Sequence, residues 1–513
     1  MNTEHYDIII IGSGPGGGTL AYKLAPSGKK ILILERGGFL PKENDNWNTE
    51  AVFTKGKYTS PESWLDRDGK VFHPGIHYFV GGNSKLFGAA LLRMRKEDYG
   101  VIKHFGGISP AWPIDYMDME PFYTQAEELY HVHGEAGIDS TEPPRSKPYK
   151  YPPLKHEPRI QKLYDDFKKQ GLHPFPLPIG VKQAGDYGYP QPAYNLGLFD
   201  GFPDPTEAKA DAHVIAINPI LSLKNVTLKT ECYVEKLVTD TSGRVITEVH
   251  VDDKGEKIIY KGNTIVVSAG AINSAALLLR SANDKHPQGL ANSSGVVGRH
   301  YMFHNNSAIL ALSKELNPSL FGKTLGLNDF YFRSEDWDYP LGHIQMIGKS
   351  NAEMLKGDAP NFAPGLALEY IAKHSLDFWL TSEDLPLPEN RVLVGKDGQI
   401  TIHHTPNNTE GHQRLTAKLK ELLSHLGCEN HLFPRFMYLG KKIPLAGSAH
   451  QCGTIRFGVD PKQSALDINC KAYDLDNLYV VDGSFFPSSS AVNPGLTIIA
   501  NALRVGEHLS KKL

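Results

Sequence analysis

Cysteine is scarce. The 513 residues hold four, Cys232, Cys428, Cys452 and Cys470, widely scattered and with no C-x-x-C pair. Four thiols so placed cannot staple a chain this long and form no dithiol redox motif, so free thiols in a reducing compartment are expected. Long apolar runs are missing as well: none reaches the ~18 residues that a membrane-spanning helix needs. Neither sign of charge dominates. Lys and Arg number 54 and Asp and Glu 57, a formal net charge of −3, which argues against nucleic acid or an anionic membrane surface as a partner. The opening MNTEHYD has no basic region and runs straight into a strand pattern, so no secretory leader is expected and the chain is assigned to the cytoplasm. What is present, 40% hydrophobic and 22% charged residues, suits a globular protein of roughly two to four domains.

The most informative stretch is Tyr6 to Arg36, YDIIIIGSGPGGGTLAYKLAPSGKKILILER. Ile8 to Ile11 form a continuous β-branched run, as in a parallel strand buried on both faces. Gly12, Gly14 and Gly17 give G-x-G-x-x-G, with Ser13 inside the turn. The first glycine allows the tight turn, the second a close approach to a pyrophosphate, and the third close helix packing. Thr19 to Leu24 continue as helix, where the N-terminal N–H groups favour phosphate. Ile31 to Leu34 are the next strand, and Glu35 at its end suits a ribose hydroxyl. Strand, turn, helix, strand and acid in this order predict dinucleotide binding.

Further along, Val80-Gly-Gly-Asn-Ser is a loop whose glycines allow close backbone approach. Residues 43–70 read as a polar excursion and 139–215 as an irregular one, rich in Pro, Gly and aromatics from 171 to 206. A helix is predicted over 117–132. The α/β pattern returns with strands at 226–231 and 232–239, a meander over 244–252 and 257–261, a buried strand at 263–268 and a helix at 272–280. Strand-like runs at 307–312, 329–332, 343–347, 366–371, 391–394 and 400–404 precede a helix at 412–426 ended by Gly427. Strand 478–481 and helix 497–509 resume the first pattern. The fold class is therefore α/β: a discontinuous Rossmann-like domain, 1–300 and 445–513, with an inserted α+β domain, 301–444, built on an antiparallel sheet.

With the C-terminal stretch in view, the sequence resembles the glucose–methanol–choline (GMC) oxidoreductases. The resemblance rests on GSGPGGG at 12–18, VGGNS at 80–84, GRHYMFH at 298–304, HQCGTIRFG at 450–458, VVDGS at 480–484 and VNPGLT at 492–497. VGGNSKLFGAALLRMR, FDGFP and the late Asn-Pro look closest to the pyranose oxidase and C-glycoside oxidase branch. The match is loose over 300–445, where substrate choice lies.

The resemblance implies FAD. The cofactor set it implies, together with the nucleotide motif, is Gly12, Ser13, Gly14, Gly17, Glu35, Arg36, Gly82, Asn83, Val234, Ala269, Asp482, Gly483, Asn493 and Thr497. Glu35 would hold the adenosine ribose, the strand marked by Val234 would contact adenine, Gly82 and Asn83 would approach the flavin, and Asp482 and Gly483 would run beside the pyrophosphate. Some relatives tether FAD through a His after the glycine pair. Here that position is Leu86, and residues 80–90 contain no His, so non-covalent FAD is expected. His450 and Asn493 fall on the family's active-site pair. A His near its reference pKa can take a hydroxyl proton at neutral pH. Asn cannot titrate and can only position the alcohol. Gln345 aligns with a sugar-contacting position; His343, Tyr370, Phe378 and Trp379 are further pocket candidates, and Phe303 and His304 are given no chemical role. The activity implied is oxidation of a CH–OH group of a sugar, glycoside or polyol, with oxygen or another acceptor taking the electrons. A lyase without net redox, oxidation of a non-sugar alcohol and a retained scaffold are the alternatives. Which carbon reacts, the electron acceptor and the oligomeric state are not legible.

Overall fold

The computed structural model describes residues 4–182, 198–358, 365–426, 428, 441–442, 445–447 and 450–513. The run 183–197 of the irregular excursion and Gly427, expected to stop a helix, lie outside these residues.

The N-terminal stretch folds as β1 (His5–Ile11), α1 (Pro15–Leu24) and β2 (Ile31–Leu34). Ile8, Ile9, Ile10 and all of β2 are buried, because sheet neighbours cover both edges and other elements cover both faces. Next come β3 (Val226–Lys229), β4 (Cys232–Thr239), β5 (Ile246–Asp253), β6 (Glu256–Val267) and α2 (Ala271–Arg280). β7 (Leu478–Val480) and α3 (Gly495–Ser510) close the layer. The sheet runs β3-β2-β1-β6-β5-β4, with β7 also on β6. The two short strands expected at 257–261 and 263–268 are one strand. Its first part pairs antiparallel with β5 and its second parallel with β1 and β7. Gly262 does not break it: a Cβ there would stand 2.8 Å from Ile9 Cγ1, so the glycine is what lets the strand pass β1.

A six-stranded antiparallel sheet stands beside this layer. Its order is 441–442, 305–312, 375–382, 343–346, 325–327 and 175–176. Helix Thr409–Ser424 lays Leu415, Leu419 and Leu423 on its core. Helix Pro158–Lys169 adds Ile160, Leu163 and Phe167, so the irregular excursion builds part of this second core. The hairpin 391–394/400–403 departs from expectation: it pairs with strands 64–66 and 71–72 in a separate four-stranded sheet. Residues 366–371, which read as a strand, are helical within Gly365–His374. Leu368 and Ile371 are buried while Leu366 is 86% exposed, a helical rather than an alternating pattern. Residues 329–332 form a turn. Among the described residues no helix is long and apolar enough to cross a membrane. The four cysteines are buried and unpaired.

Candidate active site

The parallel strands β1, β2, β6 and β7 end on one side, and a cavity of about 630 Å³ opens there. The carboxyl ends of such strands are where α/β sheets take ligands. Glycines shape this end. Gly12 has φ +101°, and a Cβ on it would collide with the Ser268 carbonyl. A Cβ on Gly17 would collide with the Gly12 carbonyl, so Gly17 sets the approach of α1 to β1 and lies off the cavity. Gly14 and Gly270 differ. Nothing stands closer than 4.0 Å to where their Cβ atoms would be, and both border the cavity. The first turn of α1 has no side-chain cap and no acidic residue, so its N–H groups are left for an anion. The buried Ser268 hydroxyl, also on the wall, has no hydrogen-bond partner among the described residues. A cradle with space over glycine, open N–H groups and an orphaned hydroxyl fits a dinucleotide.

Of the residues predicted for the cofactor, Gly12, Ser13, Gly14, Glu35, Arg36, Gly82, Asn83, Val234, Ala269, Asp482, Gly483 and Asn493 all line this cavity. The Glu35 carboxylate accepts from Ser13 N at 3.0 Å, Ser13 Oγ at 2.6 Å and Gly37 N at 2.9 Å. Burial nevertheless holds its pKa above the usual carboxylate value. Arg36 is sandwiched, its guanidinium 4.1 Å from the Tyr78 ring and 4.4 Å from that of Tyr233, and it is ion-paired to Glu62. Asp482 spends its carboxylate on fixing the backbone: it accepts from Gly270 N at 3.0 Å, Ser484 N at 2.8 Å and the Ser274 hydroxyl. Thr497, like Gly17, does not border the cavity. Its hydroxyl sits 2.8 Å from that of Tyr123, in helix Tyr116–Leu129, so it joins two helices.

On the wall of the same cavity His450 and Asn493 meet, Asn493 Nδ2 lying 3.4 Å from His450 Nε2. Asn493 Oδ1 is buried without a partner among the described residues. On the other side His450 Nδ1 is 2.9 Å from His304 Nδ1, and His304 Nε2 is 3.3 Å from the Ser489 carbonyl. A carbonyl only accepts, so His304 Nε2 carries the proton and its Nδ1 carries the lone pair. That lone pair requires an N–H on His450 Nδ1, which leaves His450 Nε2 bare and aimed at Asn493. His304, missed from sequence although it stands in GRHYMFH, thus fixes the tautomer of His450. Burial pushes the His304 pKa down to about 4. His450 is also held well below its ordinary value, first by burial, then by His304, Lys323 and His343. The expectation of a histidine titrating near its reference value is corrected accordingly: His450 is neutral, and a proton acceptor, well below pH 6.5.

The backbone leading to Asn493 is pinned by strand 375–382, by the residue that follows it and by the turn at 329–332. Thr381 Oγ1 donates to the Ala491 carbonyl at 2.7 Å, Ser490 N donates to Glu383 at 3.2 Å, and Ala491 N donates to the Tyr331 hydroxyl at 3.1 Å. Gln345 reaches the cavity, its amide 3.2 Å from His343 Nε2. Trp379 borders the cavity too. Phe378, one residue earlier on the same strand, turns into the core beneath the sheet. His343 is buried behind Gln345, and Tyr370, 38% exposed, stacks on His374, away from the site.

Two family models, each described as GMC oxidoreductase, match residues 181–306 and 438–502. Over these segments the chain is similar to the GMC oxidoreductases. The 6'''-hydroxyparomomycin C oxidase of Streptomyces lividus is 28% identical over 99% of this chain and 92% of its own. Paromamine 6'-oxidase of Streptomyces fradiae is 27% identical over 97% and 90%. The 2-methyl-1,2-propanediol dehydrogenase of Mycolicibacterium austroafricanum is 26% identical over 100% and 96%. Among solved structures, pyridoxine 4-oxidase from Mesorbium loti superposes with a TM-score of 0.67 at 17% identity, covering 98% of this chain and 99% of that one, a likeness of fold. The protein is an FAD-dependent oxidoreductase, and the cradle described above fits that cofactor.

Proposed function

We propose that the protein oxidises a CH–OH group of a sugar, glycoside or polyol to a carbonyl, with His450 as general base and Asn493 as positioning group. The observation that carries this reading is the His304–His450–Asn493 chain, which leaves a bare Nε2 in the cavity that also holds the nucleotide loops. FAD, when bound, supplies a hydride-accepting ring nitrogen. The substrate hydroxyl gives its proton to His450 Nε2, and Asn493 Nδ2 donates to the substrate oxygen, holding the carbon in one orientation. Glu35 and the adjoining Val234 strand serve the adenosine half, Gly12 to Gly14 and Gly483 the pyrophosphate, and Gly82 and Asn83 the flavin. Residues 1–300 and 445–513 form the cofactor domain and 301–444 the substrate domain, where Gln345 and Trp379 face the substrate. Named relatives act on aminoglycosides and on a diol, which agrees with a polyhydroxy substrate; the pyranose oxidase and C-glycoside oxidase branch is the proposed affiliation. Oxygen or another small acceptor takes the electrons.

The test is an anaerobic panel of sugars, glycosides and simple alcohols, read by flavin absorbance. Bleaching by a polyhydroxy compound with release of a carbonyl product is expected. Product release without bleaching would reveal a lyase, and bleaching by monohydric alcohols alone would remove the sugar assignment. FAD is proposed to be untethered, because Leu86 stands where a linking His would be. After acid precipitation the yellow colour should stay in the supernatant; colour in the pellet would show a covalent bond.

A further inference from the structure

The same cavity wall carries an ion pair that the mechanism above does not use. Lys323 Nζ lies 2.6 Å from Asp200 Oδ1, and both residues border the cavity. The lysine side chain is 4% exposed and the aspartate 21%. Asp200 Oδ2 accepts from Gly348 N at 2.6 Å. Among the described residues Asp200 is the one acceptor that the Lys323 ammonium meets, so two of its three N–H groups remain unused.

The pair is built in from three sides. Gly88 makes the space: a Cβ on it would collide with both Asp200 Oδ1 and Lys323 Nζ. The turn bearing Asp200 is held by the buried Lys209 ammonium, which donates to the Phe199 and Phe202 carbonyls at 2.7 Å each. The loop bearing Lys323 is held by Glu157, whose carboxylate accepts from Leu320, Phe321 and Gly322 N at 2.6, 3.1 and 2.8 Å. Two buried or shielded charges thus immobilise the backbones that present a third and a fourth to the cavity. Lys323 is also close enough to His450 to help depress its pKa, so the pair and the base face one substrate.

Resting on the proposed function, we infer that Lys323 and Asp200 bind a vicinal diol of a neutral sugar or polyol, beside the carbon that reacts. One hydroxyl donates to the Asp200 carboxylate while its neighbour accepts from the Lys323 ammonium. The pair spans 2.6 Å, close to the separation of the two oxygens in a gauche diol. Its two charges cancel, so a neutral diol gains two charge-assisted hydrogen bonds. A charged sugar would leave water with no net counter-charge to meet it.

The experiment is anaerobic stopped-flow reduction of FAD-loaded wild type, Lys323→Met, Asp200→Asn and the double variant. The double variant leaves no lone buried charge and covers the case in which a single variant fails to fold. The substrates are D-glucose, D-galactose and methyl β-D-glucopyranoside, their 2-, 3- and 4-deoxy forms, 1-propanol, D-glucosamine and D-glucuronate. For the neutral sugars each single variant should lose about 10- to 100-fold in efficiency, the worth of hydrogen bonds to charged groups, mostly through weaker binding. One deoxy position should reproduce that loss in wild type and show no further loss in the variants. Equal losses for 1-propanol and the sugars, no loss for any sugar, or losses confined to glucosamine or glucuronate would each overturn the inference. If wild type is bleached by no alcohol at all, the proposed function has failed and the pair falls with it.

Discussion

Replacing His450 with Ala should leave the FAD absorbance intact and slow anaerobic flavin reduction on the order of 10²–10⁴-fold, the usual contribution of a positioned base. FAD retention is expected because the cradle is built at the ends of β1, β2, β6 and β7, and His450 belongs to none of these strands. The pH dependence is the more specific readout. In wild type the acid limb should lie well below pH 6.5, since burial and three neighbouring basic groups hold His450 neutral. The sign follows from which form works: a lowered pKa keeps the lone pair available at neutral pH, and the rate falls only as pH drops through that lowered value. In His450→Ala the limb should vanish. A wild-type reduction rate with an unchanged profile in the variant would remove His450 from the mechanism.

The nucleotide half of this site is legible in sequence because its chemistry is local. One run of 31 residues, Tyr6 to Arg36, contains the strand, the turn, the helix start and the acid, and the structure brings these residues to one cavity mouth. Two members of the predicted set, Gly17 and Thr497, turn out to be packing residues. Their motif neighbours face the ligand, while they face another helix or strand, and sequence spacing does not separate those cases. The catalytic end is assembled from distant segments. His304 and His450 are 146 positions apart, and nothing in GRHYMFH says that its last residue will meet a second imidazole. The Lys323–Asp200 pair joins positions 123 apart and depends on the absent side chain of Gly88. The helix Gly365–His374 reads as a strand in sequence because Leu366, Leu368 and Tyr370 alternate with smaller or polar residues over a short window. A run of six cannot distinguish period 2 from period 3.6 when exposure is unknown.

Asn493→Asp tests the geometry of the pair with almost no change in shape. In the native protein the amide donates toward His450 Nε2 across 3.4 Å and carries no charge. A carboxylate at that distance would favour the imidazolium, because an opposite charge within ~4–6 Å stabilises the charged form. His450 Nε2 would then hold a proton shared with the introduced carboxylate, and the lone pair that faces the substrate would be occupied. The two groups would titrate as a unit. The acid limb of flavin reduction should therefore move upward, from well below pH 6.5 into or above the neutral range. At neutral pH the variant should be slower by about 10–100-fold, one decade for each pH unit by which the limb passes the working pH, and it should recover toward alkaline pH. His304→Phe in the same series adds no anion but removes one of the groups that hold the His450 pKa down, so its limb should move upward less than that of Asn493→Asp; it also removes the acceptor for His450 Nδ1–H and should lower the plateau. Stopped-flow reduction from about pH 5 to 9, a range that brackets the ordinary histidine value, reads both. An Asn493→Asp profile superimposable on wild type would mean that the two side chains are not in contact in the working enzyme, and the proposed division between base and positioning group would have to be abandoned.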